Sequence, residues 1–520
     1  MLDNAVAWQD NAATAEPYRS PIRAACRGVP GRSVVKAKIE VVEQTVLGDG
    51  SRRAYERSLG TDGDDAERLG ALWNYLSSWV APDGGIHGPV VHRGDLKRMF
   101  AIHDTAWTQQ AVIEGLLFLY RRSGNDYWLR WALRLVDAQC ARQEGDGRFR
   151  WAGHEDDRYS SLVHNTLADC ALLDTVAVLQ EQGDAQRRNR YLAVVEKNLN
   201  DYVIGQLYRP ALGGFAMNPI DYYAGRDRFI VNMNSVSAEA LIKLDRQRGT
   251  TRYASLVHSI SERIRSLQAR DGLCQGSFAY SHIEPDVHVS LYTAIAVRGI
   301  PGFAELTDAA VWSDIARGVI AFLLRVEDAE TGLWYHKVEH GQLCRFPLFV
   351  AGAGMICNGI LDAAQLTGTK LDAQNLAARL LRYQHQNGAI RNFIGYDHPD
   401  NGRRRGVGID CWEDVYPTPS WNAQAFHFLC RVLPPPEPPL PPRRSRTLVR
   451  SRRYIYLETG RCSAIVGVQP LDRGIMAVYL KGLRHGLVAP GRHMIVRAAV
   501  KMLMNLRFGR VALRWLRRWM

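Results

Sequence analysis

Between residues 65 and 432, apolar side chains recur at intervals of three and four residues in long segments, which polar or glycine-containing loops separate. This spacing is typical of amphipathic helices, because it places the apolar residues on one face. Twelve such segments follow one another, and twelve helices joined in sequence make six helical hairpins. The predicted helices span residues 65–80, 104–122, 126–143, 160–182, 185–207, 232–248, 251–268, 286–297, 309–326, 347–366, 371–386 and 419–432.

A short motif repeats where predicted helices end. The pattern Q-x-x-[DN]-G occurs three times, with spacings of 125 and 116 residues, and each spacing is close to the length of two hairpins. Glycine is expected there because helices commonly end on a left-handed residue, which glycine adopts without steric cost. The three copies begin at Gln143, Gln268 and Gln384 and end at Gly147, Gly272 and Gly388, and weaker copies contain Gly84, Gly213 and Gly332.

Polar and aromatic clusters mark the beginnings of the second, fourth, sixth, tenth and twelfth predicted helices. Their hairpin partners, such as residues 126–143, have the pattern of ordinary amphipathic helices. We therefore predict that the even-numbered helices form an inner layer whose first residues contact a ligand at one common end. The predicted substrate-binding residues are His103, Trp107, His164, Asn165, Asn234, Arg345, Trp412, Trp421, Asn422 and Gln424.

The Q-x-x-[DN]-G motifs at the ends of alternate helices resemble the repeat of the α/α-toroid proteins. The resemblance covers roughly residues 65–432 and implies an all-α fold, an (α/α)6 toroid of six hairpins around a central funnel. Proteins of this architecture include terpene cyclases, protein prenyltransferases and many glycan-active hydrolases, lyases and epimerases. The motif is specific for architecture and not for activity, and it assigns the chain to no single family.

A proline-rich segment divides the chain into two parts. Residues 434–442, PPPEPPLPP, contain seven prolines and predict an extended polyproline linker. We predict an irregular segment at 1–60 with a short strand at 33–47, a toroid domain at 61–433, the linker, and a basic tail at 443–520. The tail has a net charge of +16 and the other 442 residues have −3. We therefore expect no nucleic acid as a partner of the toroid.

The basic tail contains two predicted elements. Residues 452–480 alternate enough for a small β element, and residues 506–520 have the pattern of an amphipathic helix. Five arginines fall on one face of this helix, and Trp515 and Trp519 fall on the other. Basic amphipathic helices of this kind bind anionic membrane surfaces. The alternative is a helix packed on the toroid with a solvated arginine face.

Features of exported proteins are lacking. The first twenty residues have no basic start followed by an apolar run, so we predict no signal peptide. Nine cysteines without a C-x-x-C pair argue against a disulfide framework and a thiolate zinc site. No apolar run reaches the roughly 18–20 residues that a spanning helix needs. We predict a cytoplasmic protein, which the tail could hold at the inner face of the membrane.

The loops expected at the funnel mouth are polar and charged, which favours a glycan over a hydrocarbon as the ligand. A glycoside hydrolase would need two carboxylates. The candidates are Asp104, Asp157, Asp410, Glu413 and Asp414.

A lyase or an epimerase would instead move a proton with a tyrosine or a histidine beside a charge-stabilising arginine. The candidates for this second mechanism are Tyr280, His282, His288, Tyr335 and His336, with Arg345 as the stabilising group. Both mechanisms remain open.

Each candidate also has a structural interpretation. A histidine near a helix end is commonly a cap or a surface residue, and a carboxylate beside a loop tryptophan is commonly a turn residue. Residues 412–424 are as well suited to joining the last hairpin rigidly to the first as to binding a ligand. Because no H-x-x-x-H or H-E-x-x-H pair is present, we predict no metal and no cofactor.

Two alternative functions are retained. Asp62-Gly-Asp64-Asp65 matches the D-x-D-D pattern of class II terpene cyclases, which suggests isoprenoid cyclisation. The motif precedes the first predicted helix in a glycine-rich run, where acidic residues ordinarily cap a helix. The second alternative is a non-catalytic toroid that binds a glycan or a protein.

Overall fold

The computed structural model describes residues 64–86, 88–89, 102–103, 106–150, 160–219, 227–395 and 417–438, and five strands between residues 447 and 490. Within these residues, twelve helices form six consecutive hairpins. The odd-numbered helices are α1 (Asp65–Ser77), α3 (Asp126–Cys140), α5 (Ala185–Lys197), α7 (Ala254–Ser266), α9 (Ala309–Arg325) and α11 (Ala373–Leu381). The even-numbered helices are α2 (Ala106–Ser123), α4 (Leu162–Gln182), α6 (Val231–Arg248), α8 (residues 290–306), α10 (Ala353–Thr367) and α12 (Pro419–Val432).

The even-numbered helices form the inner layer of a closed ring. Each packs on the next even-numbered helix, and α12 packs on α2. Helix α4 is long and apolar enough to span a membrane by length and composition, but most of its residues are buried inside the ring. Its apolar character is therefore explained by its position in the core. The predicted (α/α)6 toroid is confirmed.

The odd-numbered helices form the outer layer and bury one stripe of side chains. In α7 the buried residues are Val257, Ile260, Ser261 and Ile264, which are spaced by three and four as on one face of a helix. The opposite face is solvated. The periodicity that predicts these helices therefore comes from their packing on the inner layer.

Six glycines with positive φ, one in each hairpin, bring the turn after an outer helix against the next outer helix. A Cβ atom at Gly388 would overlap the carbonyl oxygen of Ala71 in α1, so the last of these contacts returns to the first helix and closes the ring. The other five contacts are Gly84 with α3, Gly147 with α5, Gly213 with α7, Gly276 with α9 and Gly332 with α11.

The motif glutamines fasten the same turns. The side-chain amide of Gln384 donates to the carbonyl oxygens of Gly388 and of Arg68 in α1, both at 2.9 Å. Gln143 and Gln268 make the equivalent pairs of bonds to their own glycines and to α5 and α9. In the fourth hairpin the close glycine is Gly276 and not the predicted one, Gly272, which has no atom within 4 Å of a Cβ position.

Several predicted helix boundaries are wrong. Helix α8 was expected at 286–297, but residues Val287–Val289 form a strand, and the helix continues as Ser290–Ile295, a 3₁₀ segment Ala296–Gly299 and Ile300–Leu306. Gly299 and Pro301 look like stop signals, yet Pro301 lies in the first turn of the last piece, where no amide donor is needed. Helix α10 begins six residues later than predicted, and α11 ends at Leu381. The predicted span of α5, 185–207, is confirmed, although its last part, Asn198–Leu207, is a π-helix.

Short antiparallel strands lie in the connections that precede inner helices. They are β1 (Gly88–Pro89) with β2 (Ile102–His103), β3 (Tyr208–Arg209) with β4 (Gly214–Phe215), β5 (Val287–Val289) with β6 (Lys337–Glu339) and β7 (Gln342–Cys344), and β8 (Leu348–Phe349) with β9 (Phe393–Ile394).

The C-terminal region contains a five-stranded antiparallel sheet in chain order, which is longer than the predicted β element. Its strands are β10 (Thr447–Arg450), β11 (Tyr454–Glu458), β12 (Cys462–Gly467), β13 (Ile475–Leu480) and β14 (Leu487–Pro490). The predicted strand at 33–47 and the predicted helix at 506–520 lie outside the described residues.

Candidate functional site

The inner helices begin at one end of the ring, which we call the mouth. Trp107 at the start of α2 contacts Trp421 at the start of α12. The first amide of α6 donates to the carbonyl of Tyr280 in the segment before α8, and the first amide of α4 donates to that of Met217 in the segment before α6. The N-terminal ends of these inner helices thus contact one another directly or through the segments that precede them.

The helix faces that point to the ring axis can be identified from contacts. Arg298 of α8 donates to Glu114 of α2 at 2.8 and 3.1 Å and to Glu239 of α6 at 2.7 and 3.0 Å. These residues come from three different inner helices, so their faces point inward. Residues seven positions apart share a helix face. Trp107 and Asn232, seven residues before Glu114 and Glu239, therefore point to the axis at the mouth.

Charged residues on the axial faces continue away from the mouth. Lys243 of α6 lies 2.7 Å from Glu239 and 2.8 Å from Asp174 of α4. Arg431 of α12 donates to Asp362 of α10 at 2.6 Å and to Asn358 at 2.9 Å. We call this set the axial charge network, and all six inner helices contribute to it: Glu114, Asp174, Glu239, Lys243, Arg298, Asn358, Asp362, His427 and Arg431.

The centre of the axial charge network is ionised. Burial would raise the pKa of Glu114, but the charges of Arg298, His427 and Lys243 and the hydrogen bonds from Arg298 together outweigh it and lower this pKa to about 2, below the ordinary 4.5. Burial lowers the pKa of His427 to about 3, although Glu114 opposes the shift. His427 is therefore neutral at pH 7, with its Nε2 atom 3.4 Å from Glu114. The network combines ion pairs with one neutral imidazole.

Acid is expected to destabilise the ring as the pH falls from 6.5 towards 4.5. Burial lowers the pKa of His427 and of His385 from 6.5 to about 3, so between these values the unfolded chain binds protons that the folded chain does not. The melting temperature measured across this range should fall. His427→Gln should make the slope shallower, whereas substitution of the exposed His258 by glutamine should leave it unchanged. An unaltered slope in His427→Gln would contradict this assignment.

Apolar residues lie between the mouth and the charge network on four inner helices. By their spacing from the buried charges, Ala111, Leu167, Val236 and Ile295 lie on the axial faces, and all are buried. These four faces therefore change from apolar to charged with distance from the mouth.

An aromatic cluster lies at the mouth. The ring centroids of Trp107 and Trp421 are 4.8 Å apart, and Trp421 also contacts Phe349 at 5.2 Å and Phe393 at 5.6 Å. The ring centroid of His336 lies 5.7 Å from that of Phe349, so His336 also contacts the cluster. These five residues, which we call the aromatic cluster, come from four connections and helix starts. Two of them, Trp107 and Trp421, are among the predicted substrate-binding residues.

Several buried polar atoms at the mouth have no hydrogen-bond partner among the described residues. They include the indole nitrogens of Trp107 and Trp421 and both amide atoms of Asn232, whose side chain is on the axial face. Asn232 is 1% exposed. Buried polar groups are nearly always paired in folded proteins, so groups without partners in a concave region indicate where a ligand binds.

Three predicted substrate-binding asparagines have a structural role instead. Asn165, Asn234 and Asn422 are each the fourth residue of an inner helix. The oxygen of each accepts the backbone N–H of an apolar residue in the preceding turn, and the amide nitrogen of each donates to carbonyl groups of the chain. Their amides fasten the turns to the inner helices.

The beginning of α12 joins the last hairpin to the first. Gln424 donates to the carbonyl of Trp107 at 2.7 Å, and the hydroxyl of Tyr75 in α1 donates to the carbonyl of Pro417 at 2.9 Å. This part of the segment therefore has the rigid closing role that the sequence allowed. His164, another predicted binding residue, is 2% exposed in the first turn of α4.

The candidates in the segment before α8 are partly engaged by the protein. Tyr280 is buried, with its ring 5.6 Å from Tyr292. The Phe229 N–H donates to Nδ1 of His282 at 3.1 Å, and burial lowers the pKa of this histidine. His288 is buried, lies 2.8 Å from the Ser277 hydroxyl and also has a pKa lowered by burial. Their segment is linked to the mouth, because the carbonyl of Tyr280 accepts the first N–H of α6.

Tyr335 and Arg345 belong to a turn and not to the aromatic cluster. Arg345 lies 2.9 Å from Asp328 and 3.0 Å from Glu330, so two carboxylates neutralise it. Burial and Asp328 raise the pKa of Tyr335. Of the candidates in this hairpin, His336 alone contacts the aromatic cluster.

Six candidates fall outside the described residues: Asp104, Asp157, Asp410, Trp412, Glu413 and Asp414. His103 is described only as part of the backbone of β2, paired with Gly88. Within the described residues, no three histidine, cysteine or acidic side chains come together as metal ligands.

Asp64 of the terpene-cyclase-like motif is a helix cap. Its carboxylate accepts the backbone N–H of Glu67 at 2.9 Å at the exposed start of α1. This outer helix end lies away from the axial faces.

Sequence reasoning missed Asn232, Phe349 and Phe393 as residues of the mouth. The only hint of Asn232 in the sequence is that it stands two residues before the predicted Asn234, and no pattern in the sequence indicates Phe349 or Phe393. Spacing of seven from the buried charges of the same helices could have singled out Asn232.

Comparisons with known proteins identify the architecture. No protein-family model matches the chain, and no curated protein matches it. A possible member of the GH105 family from Salmonella enterica serovar Paratyphi A superposes with a TM-score of 0.51 and 14% identity, covering 72% of this chain and 96% of that one. A possible member of the same family from Klebsiella pneumoniae gives a TM-score of 0.50 and 15% identity, covering 72% and 95%. The likeness shows that the chain has the same toroid fold.

Proposed function

We propose that this chain is a carbohydrate-active enzyme whose glycan substrate binds at the mouth of the ring. The observation that supports it most is the aromatic cluster, where the buried indole N–H groups of Trp107 and Trp421 lack protein partners. Aromatic rings stack on the apolar faces of sugars, and N–H groups beside them bind hydroxyls. A hydrocarbon would leave these donors unpaired at a cost of about 1–3 kcal/mol each.

The solved structures that share the fold add circumstantial support, because two of them are described as possible members of the GH105 family. Under this proposal the reaction is hydrolysis, elimination or epimerisation. Asp64 would take no part, because it caps an outer helix.

Two sets of residues are proposed for the chemistry. For hydrolysis we favour Asp104, which stands three residues before Trp107, paired with one of the acids of the segment before α12, Asp410, Glu413 or Asp414. For elimination or epimerisation we favour His336 as the proton-transfer group, because it contacts the aromatic cluster.

Trp421→Ala is expected to lower kcat/KM about 10- to 100-fold on the true substrate. Loss of a stacking surface and an N–H donor removes about 1.5–3 kcal/mol of binding. The matched control is Trp131→Ala, because Trp131 is a half-buried tryptophan of outer helix α3 that packs on Trp73. It should change kcat/KM of the folded enzyme by less than about twofold, since Trp131 lies on an outer helix away from the mouth.

The measurement begins with a substrate screen. Neutral and uronic oligosaccharides should be incubated with the full chain, and reducing ends, unsaturated products and epimers should be assayed. Equal losses in both tryptophan variants would argue against a site at the mouth. If no sugar is bound or converted and an isoprenoid diphosphate is cyclised, the proposal fails.

A separate proposal concerns the tail. Residues 506–520 would hold a cytoplasmic enzyme at an anionic membrane surface, as their arginines and tryptophans suggest. Co-sedimentation of the full chain with anionic vesicles, compared with neutral vesicles, tests this directly.

A further inference from the structure

The N-terminal ends of the outer and inner helices differ in their side-chain caps. Five of the six outer helices start with an aspartate or asparagine whose side chain accepts a first-turn backbone N–H. Of the inner helices whose preceding residue is described, none has such a side-chain cap. Uncapped helix starts carry unsatisfied N–H groups and partial positive charge. At these inner helix starts no side-chain cap offsets the partial positive charge, unlike at five of the outer helix starts.

The start of α6 combines this partial charge with an unpartnered side chain. No acceptor among the described residues takes the backbone N–H groups of Asn232 and Met233. The amide of Asn232 is buried, lacks a partner and lies on the axial face. Free backbone donors and an unpartnered side-chain amide therefore occur together at one helix start, and helix starts with free N–H groups bind anions.

A buried cation precedes the same helix start. Arg228, three residues before α6, has a side chain that is 4% exposed and lies 3.3 Å from Glu284. Because this arginine is paired with a carboxylate, the unbalanced positive potential at the start of α6 comes from the helix itself and from the Asn232 amide.

We propose that the substrate is an acidic sugar, whose carboxylate or phosphate group binds at the start of α6. The N–H groups of Asn232 and Met233 and the Asn232 side-chain amide donate to the anionic oxygens, and the Asn232 side-chain oxygen accepts a neighbouring hydroxyl. This inference rests on the proposed function and specifies its substrate class.

The test compares three monosaccharides that differ in charge. Quenching of tryptophan fluorescence should be titrated with glucuronate, glucose 6-phosphate and glucose, using the full chain. At least one acidic sugar should bind about tenfold more tightly than glucose, since hydrogen bonds to a charged group are the stronger ones. Added salt should weaken this preference. The two acidic sugars distinguish a carboxylate from a phosphate site.

Asn232→Asp keeps the shape of the side chain and adds a negative charge. It should abolish the preference for acidic sugars, because the added carboxylate repels their anionic groups. Gln365→Glu adds the same charge to the exposed far end of α10 and should preserve the preference. If Asn232→Asp does not fold, as judged by circular dichroism, Asn232→Ser removes the amide and should reduce the preference.

The outcomes separate the two proposals. If glucose and the acidic sugars bind equally well, the acidic-sugar inference is overturned and the carbohydrate proposal stands. The same holds if the preference survives both Asn232→Asp and Asn232→Ser. If none of the three sugars binds and the oligosaccharide screen is also negative, both proposals are rejected.

Discussion

Gly388→Ala is expected to destabilise the ring strongly. Gly388 has φ of +90°, and a Cβ atom there would overlap the carbonyl oxygen of Ala71 in the first helix. The left-handed conformation costs an alanine about 1–2 kcal/mol, and overpacking against backbone adds about 1–3 kcal/mol. A loss of about 2–5 kcal/mol in the free energy of unfolding should appear in urea denaturation.

The chain offers a matched control for this substitution. Gly368 has a similar φ of +68°, but nothing lies within 4 Å of its Cβ position. Gly368→Ala should therefore show the conformational cost alone, about 1–2 kcal/mol. If the two alanine variants are equally stable, the close approach of the last turn to α1 does not hold the ring closed.

Arg298→Met is expected to cost about 3–5 kcal/mol, because it leaves the buried carboxylate of Glu114 without its guanidinium partner and leaves Glu239 with Lys243 alone. The side chains of Arg298, Glu114 and Glu239 are 17%, 5% and 12% exposed, and the guanidinium makes four hydrogen bonds to the two carboxylates. The melting temperature and the urea midpoint should both fall clearly. A change smaller than about 1 kcal/mol would show that the network contributes little.

Two further variants isolate the electrostatic part of this loss. Arg317 pairs with Asp314 on the surface of α9, and Arg317→Met should change stability by less than about 1 kcal/mol, as is usual for exposed pairs. Adding Glu114→Gln to Arg298→Met removes the abandoned charge of Glu114 and should restore part of the stability. No restoration would mean that the lost packing of the arginine side chain dominates.

The toroid could be predicted because its signals are local. The three- and four-residue periodicity arises within each helix, and Gln384 and Gly388 are four residues apart and bond to each other. A repeat of such local units specifies six hairpins without any knowledge of long-range contacts. The boundaries of α8 and α10 were predicted less well, because whether a proline or glycine ends a helix depends on what packs against it.

Residue roles at the mouth depended on partners far away in sequence. Asn232 and Asn234 stand two residues apart in one helix turn, yet Asn234 is bonded to Phe215 and Asn232 has no partner in the described chain. Arg298 and Glu114 are 184 residues apart. The amino-acid sequence thus specifies helices, turns and their repetition, since these form between near neighbours. Which polar side chain is satisfied by the protein and which remains for a ligand is settled only when six hairpins meet around one axis.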